Sequence, residues 1–475
     1  MGTINSAFSL ISGALDADQA ALSIIANNVA NANTPGYTQE TPNWKQNQPL
    51  EINGVSYGDG VTETGATSLR DSVLEERLDQ QQQLASASGA RLTALNSVQA
   101  LFTPDSGSTS STAGDIGSDL TGFFNSFSSL EANPTDNALR QQVLSSATTL
   151  AGDVSNAAAS LNSQRSALDQ EASGMTSQMN SLTSAISQLN LQIQSTSPDA
   201  DGGTLEDQRD EDISQLSQLI GINQVPSENN GLSITTTSGQ LLVADGTDFQ
   251  LTTGSVGGVT DFFLGGSDIT KQLMSGGGQL GGYLTARDSD IPTALTSLDQ
   301  LAYSVSTSVN TLNNNGTDLD GVTGTANSPL YIFKEPATVA GSAANMAVVM
   351  TDPNQIAAAG QGDGTGDNSN ATAMAKLTKT TSTTINNQTP TDFYSSFVSA
   401  LGATVSGVQS ENTAQNASVT QLQTQNNALS SVNLNDEAAA MSTLQSSYQA
   451  ASQVFTMLNT IMAAAMNLGD QTTVA

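Results

Sequence analysis

DEAAAMSTLQSSYQAASQVFTMLNTIMAAAMNL, residues 436–468, is the stretch whose reading decides the fold. Its apolar positions Met441, Leu444, Tyr448, Ala451, Phe455, Leu458, Met462 and Ala465 advance by three and four residues alternately, the spacing of one helical stripe. Val454, Ile461 and Leu468 form a second row that widens it. Asp436 and Glu437 place negative charge in the first turn, where free N–H groups and the positive end of the helix dipole lie, and Gly469 stands just past the last periodic residue. No Lys or Arg follows Lys379, so this helix must associate by apolar contact. Its partner is expected at the other end of the chain. There Phe8, Ile11, Leu15, Leu22, Ile25 and Val29 make a heptad stripe interrupted at Asp18 and ending near Asn31, ahead of Pro35 and Gly36. The outer faces of such a pair stay apolar, which points to termini that become ordered by packing against other subunits.

Composition narrows the function classes. The 475 residues suffice for two or three domains. A net charge of -32, from 44 acids against 12 bases, argues against nucleic acid or anionic lipid as a partner. Histidine and cysteine are both absent, which removes the usual general base, the thiol nucleophile, the common zinc sites and every disulfide. The first residues lack a basic n-region, so no cleavable signal peptide is read, and no apolar run is long enough for a membrane span.

Ala26-Asn27-Asn28-Val29-Ala30-Asn31, followed by Thr34-Pro35-Gly36-Tyr37, resembles the N-terminal signature of the bacterial flagellar axial proteins of the rod, the hook and the hook–filament junction. In physical terms the asparagines end a helix and Pro-Gly turns the chain into an extended segment. Asp207-Gln208-Arg209-Asp210, the run from Gly277 to Asp288 (GGQLGGYLTARD), Gly366 to Ala371 and Val432 to Ala439 narrow the resemblance to the hook-associated protein 1 family, over nearly the whole chain.

Taken in order, residues 1–67 read as the N-terminal axial helix and an extended segment. Pro42, Pro49, Gly54, Gly58 and Gly60 act as breakers, and Trp44, the only tryptophan, is expected to anchor a small cluster. Residues 68–220 read as a long helical rod. Within it Leu74, Leu78, Ala85, Leu92 and Leu95 share a face, 104–119 is a loop, and Ala147, Val154, Leu161, Leu168, Met175, Leu182 and Leu189 recur at intervals of seven. That repeat suits a coiled-coil rod or a long helix in an ordinary bundle. The period changes to two over 221–282, predicting a small β-rich domain. A returning helix follows over 283–315, then a loop and β-rich segment over 316–370 with strands at 330–333 and 347–350. Returning helices occupy 371–435 and the C-terminal axial helix 436–475. The expected fold is mainly α with an inserted β domain, its N- and C-terminal helices paired, an architecture that the resemblance makes flagellin-like.

No stretch carries recognisable catalytic chemistry. Asn313 to Gly321 and Asp199 to Gly202 crowd oxygen ligands without the bidentate Glu of a calcium loop and read as solvated turns. Gly362 to Gly366 follows no strand and makes a poor phosphate loop. Glu75-Glu76 and Asp210-Glu211-Asp212 read as wet helix faces. We expect no enzyme, cofactor or metal.

The resemblance implies a structural junction subunit that packs with its own copies in a ring at the hook tip, between the hook protein and the second junction protein, hook-associated protein 3. It also implies export without a cleaved signal, with a cytoplasmic chaperone on the C-terminal helix, and an extracellular location. The expected assembly interface comprises Phe8, Ile11, Leu15, Leu22, Ile25, Val29, Met441, Leu444, Tyr448, Phe455, Leu458 and Met462, with Asn27, Asn28, Asn31, Thr34, Pro35, Gly36 and Tyr37 as the family motif. Alternatives are another axial protein of the hook or distal rod, a secreted coiled-coil adhesin or effector, and an acid hydrolase, which would need a pocket with a raised-pKa carboxylate.

Overall fold

The computed structural model describes residues 2–52, 55–102, 115–195, 203–228 and 230–470. The chain leaves from paired terminal helices, builds a body and returns to them. Helix α1 (Gly2–Asn31) leads into β1 (Glu40–Gln46), a short hairpin of β2 (Leu50–Ile52) and β3 (Val55–Tyr57), and β4 (Val61–Ser68), which pairs antiparallel with β1. The body follows, with α2 (Ser72–Ala100), α3 (Ile116–Ala132), α4 (Asn137–Ser195) and α5 (Thr204–Leu219). A meander of β5 (Ile222–Pro226), β6 (Leu232–Thr236), β7 (Leu241–Ala244) and β8 (Thr247–Asp248) comes next. A three-stranded sheet of β9 (Leu251–Val256), β10 (Val259–Leu264) and β11 (Ser267–Asp268) completes the β region. Then come α6 (Thr270–Met274), α7 (Gly278–Thr285), α8 (Ile291–Asn315), α9 (Ser369–Ala375), α10 (Pro390–Ser430) and α11 (Leu434–Asp470), which lies back along α1.

Two hydrophobic cores hold the body together, and α4 runs through both. At 59 residues and 1.5 Å per residue it is about 90 Å long. Its heptad positions Ala147, Val154, Leu161 and Leu168 belong to a core shared with α3, α8, α9 and the first half of α10. Leu182 and Leu189 lie buried farther along, and Met175 packs on the second core, built with α5, both sheets and α7. One stripe therefore meets different partners along its length, so this is the long bundle helix of the two sequence readings rather than a two-stranded coiled coil. The first core centres on Phe123, whose ring lies 5.3 Å from those of Phe124 and Phe127 and 5.4 Å from that of Phe333.

Several expectations need correction. The loop expected to Asp119 stops at Asp115, whose carboxylate accepts from the N–H groups of Gly117 and Ser118 and caps α3; residues 103–114 lie outside the described ones. The buried face of α2 includes Asp79, Gln83 and Ser88, while Leu78 and Leu92 are only half-buried. Strands occupy 222–268, but 270–274 and 278–285 are helical where a β-rich domain was expected to run on to 282. The glycines there serve close packing: a Cβ on Gly282 would lie 2.3 Å from the Ala87 carbonyl oxygen on α2. Between Gly316 and Asn370 only isolated bridges form, Phe333 with Val348 among them, in place of two strands. The last helix passes through Gly469 to Asp470. Trp44 is half-exposed on β1 and anchors no buried cluster. Gly54 and the turn at Asp199 to Gly202 lie outside the described residues.

One device recurs at four places where a helix docks on an extended segment. A helical amide side chain pairs with both the N–H and the C=O of a single residue, as a neighbouring strand would. Asn28 does so with Glu40 (2.8 and 3.0 Å), Gln83 with Ile222 (3.0 and 3.1 Å), Asn180 with Leu251 (2.8 and 2.9 Å) and Asn310 with Phe333 (2.8 and 3.0 Å). An amide carries a donor and an acceptor side by side without charge, so it satisfies buried backbone groups at no cost in ion desolvation. A chain poor in charge and rich in Asn and Gln fixes its contacts this way.

Candidate assembly face and the clasp behind it

The α1–α11 pair is held by the expected apolar stripes. Phe8 and Phe455 meet with ring centroids 4.5 Å apart. Ala17, Ala21 and Ile25 are buried, and Ile11, Leu15, Leu22, Met441, Leu444, Leu458 and Met462 are half-buried. Most of the residues assigned to an interface between subunits thus pack within one chain. Val29 and Tyr448 lie outside the seam, 39% and 37% exposed. What stays open is the second row of α11, with Val454 42%, Met457 63% and Ile461 48% exposed. Sequence reading found Val454 and Ile461 but passed over Met457, although 454, 457 and 461 step by three and four. Residues 6–31 are also long and apolar enough to cross a membrane, by length and composition, with a mean hydropathy of 1.2. The reading that no such run exists is corrected; here the helix packs on α11 and on the β1–β4 ribbon.

Behind this face the family motif ties the terminal helices to the body. Asn28, 1% exposed, makes four hydrogen bonds. Besides its pair with Glu40, its amide donates to Glu437 Oε1 on α11 at 3.0 Å, and its oxygen accepts from the Tyr37 hydroxyl at 2.8 Å. Gln39 donates to the same Glu437 oxygen at 2.7 Å, leaving that carboxylate buried among neutral donors. Asn31 donates to the Asn27 side chain at 2.8 Å and accepts from the Thr34 hydroxyl at 3.2 Å, closing the helix end. After Pro35 the chain turns at Gly36, whose φ of +76° is left-handed. A Cβ there would sit 3.2 Å from Glu211. Burial, together with Glu40, Asp207 and Glu437, pushes the Tyr37 hydroxyl well above its ordinary pKa.

The second internal motif meets the first one here. The Thr38 N–H donates to Asp207 Oδ2 at 3.1 Å. Asp207 also receives Arg70, which lies 2.7 Å from Glu206, 3.2 Å from Asp210 and 3.7 Å from Glu75. Arg209 turns away, donating to Asn190 Oδ1 at 3.1 Å and the Asn230 carbonyl at 2.7 Å. Glu75 and Asp210, read from sequence as parts of wet faces, are therefore half-buried, because α2 packs against α5. Burial, with Asp210 nearby and Arg70 opposing, raises Glu75 to about 8. Burial with Asp210 raises Asp79 to about 7. Asp210 and Asp212 are raised as well, both chiefly by burial. A cleft of about 600 Å³ opens onto this cluster, and a second hollow of about 560 Å³ lies across the Asn31–Tyr37 turn.

The remaining motifs are structural pins. Arg287, 1% exposed, donates to Asp169 at 2.5 Å, Asp288 at 2.7 Å and the Thr260 carbonyl at 2.7 Å, fixing α4, β10 and the start of α8 together. Asn370 donates to the Leu312 and Ala357 carbonyls. In the candidate calcium turn, Asp318 Oδ1 accepts from the N–H groups of Asp320 and Val322, and Asn313 is bonded to Leu330 and Ala357.

Residues 106–327 match the family model described as flagellar hook-associated protein FlgK helical domain, and residues 11–38 match flagella basal body rod protein. Flagellar hook-associated protein 1 of Escherichia coli (strain K12) is 26% identical over 543 residues, covering 96% of this chain and 98% of that protein. The chain is thus similar to flagellar hook-associated protein 1 over nearly its whole length. Flagellar hook-associated protein 1 of Bacillus subtilis (strain 168) is 26% identical, with 96% of each chain covered. That of Salmonella typhimurium is 27% identical over 318 residues, 65% of this chain and 56% of that protein, so the match spans little more than half of that relative's length. The flagellar hook junction protein FlgK of Burkholderia pseudomallei shares the fold, with a TM-score of 0.63 at 19% identity over 74% of this chain and 99% of that one. The N-terminal, Asp-Gln-Arg-Asp and C-terminal motifs of this chain converge on the clasp although they are far apart in sequence.

Proposed function

We propose that the chain is a structural subunit of the bacterial flagellum that joins the hook to the filament, and that it assembles through the open outer row of α11. The observation that carries this reading is the half-finished terminal pair: Phe8 and Phe455 close it inside the chain, while Val454, Met457 and Ile461 stay uncovered. Each such side chain buried against a neighbour contributes roughly 1.5 to 3 kcal/mol, so a few per subunit hold a ring. Copies of the chain form that ring between the hook protein and the next junction protein. The chain reaches the outside uncleaved, its α11 row covered by a chaperone in the cytoplasm, because an apolar helix row left bare there invites aggregation.

The acid-hydrolase reading gains the raised carboxylates it required, yet we read the chain as non-catalytic. Glu75 and Asp210 both face Arg70 in an ion-pair network that joins two helices, which raises a pKa without a reaction. Deleting the gene tests the proposal. Hooks without filaments, with filament subunits in the medium, are expected; filaments of normal length would overturn it.

A further inference from the structure

The chain passes between the terminal unit (α1, the β1–β4 ribbon and α11) and the body at two places, Leu69–Arg70 and residues 430–433, and the end of the turn from α1 into β1, Thr38–Gln39, lies against both. They lie side by side. The Leu69 N–H donates to the Gln39 carbonyl and the Gln39 N–H to the Ser430 carbonyl, both at 2.8 Å. All covalent linkage between the two units thus runs through one narrow joint, with hollows of about 600 and 560 Å³ on its flanks.

The charges at the joint do not balance. From the Arg70–α2 segment come Arg70, Glu75 and Asp79, with Glu76 on the cleft wall. From α5 come Glu206, Asp207, Asp210 and Glu211, and Arg209, which is tied to Asn190 and Asn230. The turn and β1 add Tyr37 and Glu40, and α11 adds Glu437. The α10 and β5 sides of the cleft supply only neutral amides, Gln423, Asn426, Asn427 and Gln224. Glu75, Glu206, Asp207 and Asp210 crowd around Arg70, Asp79 lies beside Asp210, and the second cation, Arg209, is 3.8 Å from Asp210; carboxylates in such a space cannot all stay ionised without strain.

We propose that this joint is a proton-sensitive latch: it holds the terminal unit against the body while the carboxylates around Arg70 retain protons, and loosens as they lose them. The cleft gives solvent, and so protons, direct access. The direction follows from the raised pKa of Glu75, about 8, and Asp79, about 7. The folded state binds protons that the unfolded chain has already released, so this stabilisation is complete below the ordinary carboxylate range and is lost as pH rises toward about 8. The latch belongs to the free chain and holds whether or not the junction reading does.

Amide hydrogen exchange on the full chain, corrected for the intrinsic pH dependence of exchange, tests it. Between about pH 6 and about pH 9, protection of 36–40, 69–79 and 430–437 is expected to fall by about tenfold or more, one pKa unit being a factor of ten, while α3 keeps its protection. The Glu75→Gln/Asp79→Asn variant should hold the joint constant over the same range. Joint and α3 loosening together, or a variant joint that loosens as the wild type does, would overturn the latch. If the variant fails to fold, the wild-type profile decides, because a joint without selective loosening is no latch.

Discussion

The Phe123 cluster and the α1–α11 seam are both built from aromatic and aliphatic side chains, yet they end in different states. Phe123, Phe124 and Phe127 are essentially inaccessible, enclosed by α3, α4 and the segment around Phe333. Phe8 and Phe455 touch each other while the far side of α11 remains open. The body satisfies its own apolar surface; the terminal unit satisfies half of it. In the proposed function, that difference separates residues that keep the chain folded from residues that connect it to its neighbours.

The comparison can be broken or sharpened experimentally. Phe127→Ala should cost the body about 3 to 5 kcal/mol, seen as a lower urea midpoint by circular dichroism. Arg70→Met leaves Glu206, Asp207 and Asp210 facing one another without their cation and should cost about 3 kcal/mol at neutral pH, with part of the loss recovered in mild acid as the carboxylates take up protons. A loss independent of pH would show that Arg70 acts by packing alone. Asn28→Ala removes four hydrogen bonds and strips Glu437 of a donor, for about 2 kcal/mol. Trp44, the only tryptophan, lies on the terminal ribbon. Its fluorescence should therefore report this loss while the main circular dichroism transition stays in place. Coincident shifts by both probes would mean that the two units unfold as one. Smallest of all, Met457→Ser should change the stability of the free chain by less than about 0.5 kcal/mol, since the side chain touches little.

Period alone revealed the terminal helices, the α4 stripe and the switch to strands after Gly221, because each buries a regular face. Helix α3 was hidden by its approach: a run of Ser, Thr and Gly precedes the Asp115 cap, and the Phe-Phe-Asn-Ser-Phe that follows is too short to show a heptad. The clasp was half legible. Asn28, Pro35 and Gly36 stood out as a motif, but nothing local signals that Arg70 would meet Glu206 and Asp207, since separate helices carry them and only tertiary packing encloses them. For the same reason carboxylates that look wet on a helical wheel proved half-buried, and most residues assigned to a contact between subunits lie in the seam between the chain's own ends, where the matching stripes had led the pair to be expected. The glycines at 277–282 misled in the opposite direction, being placed at the end of the β-rich domain where Gly277 and Gly282 let the α7 segment approach α2.

The central claim is that the outer row of α11 joins subunits while the inner row only closes the chain. The most direct measurement is the incorporation of the Met457→Asp/Ile461→Asp chain at hook tips in cells lacking the wild-type gene, alongside its urea midpoint in isolation. The account predicts an unchanged midpoint, hooks without filaments and no subunit at the tip. Normal filaments from a chain carrying both aspartates would contradict it.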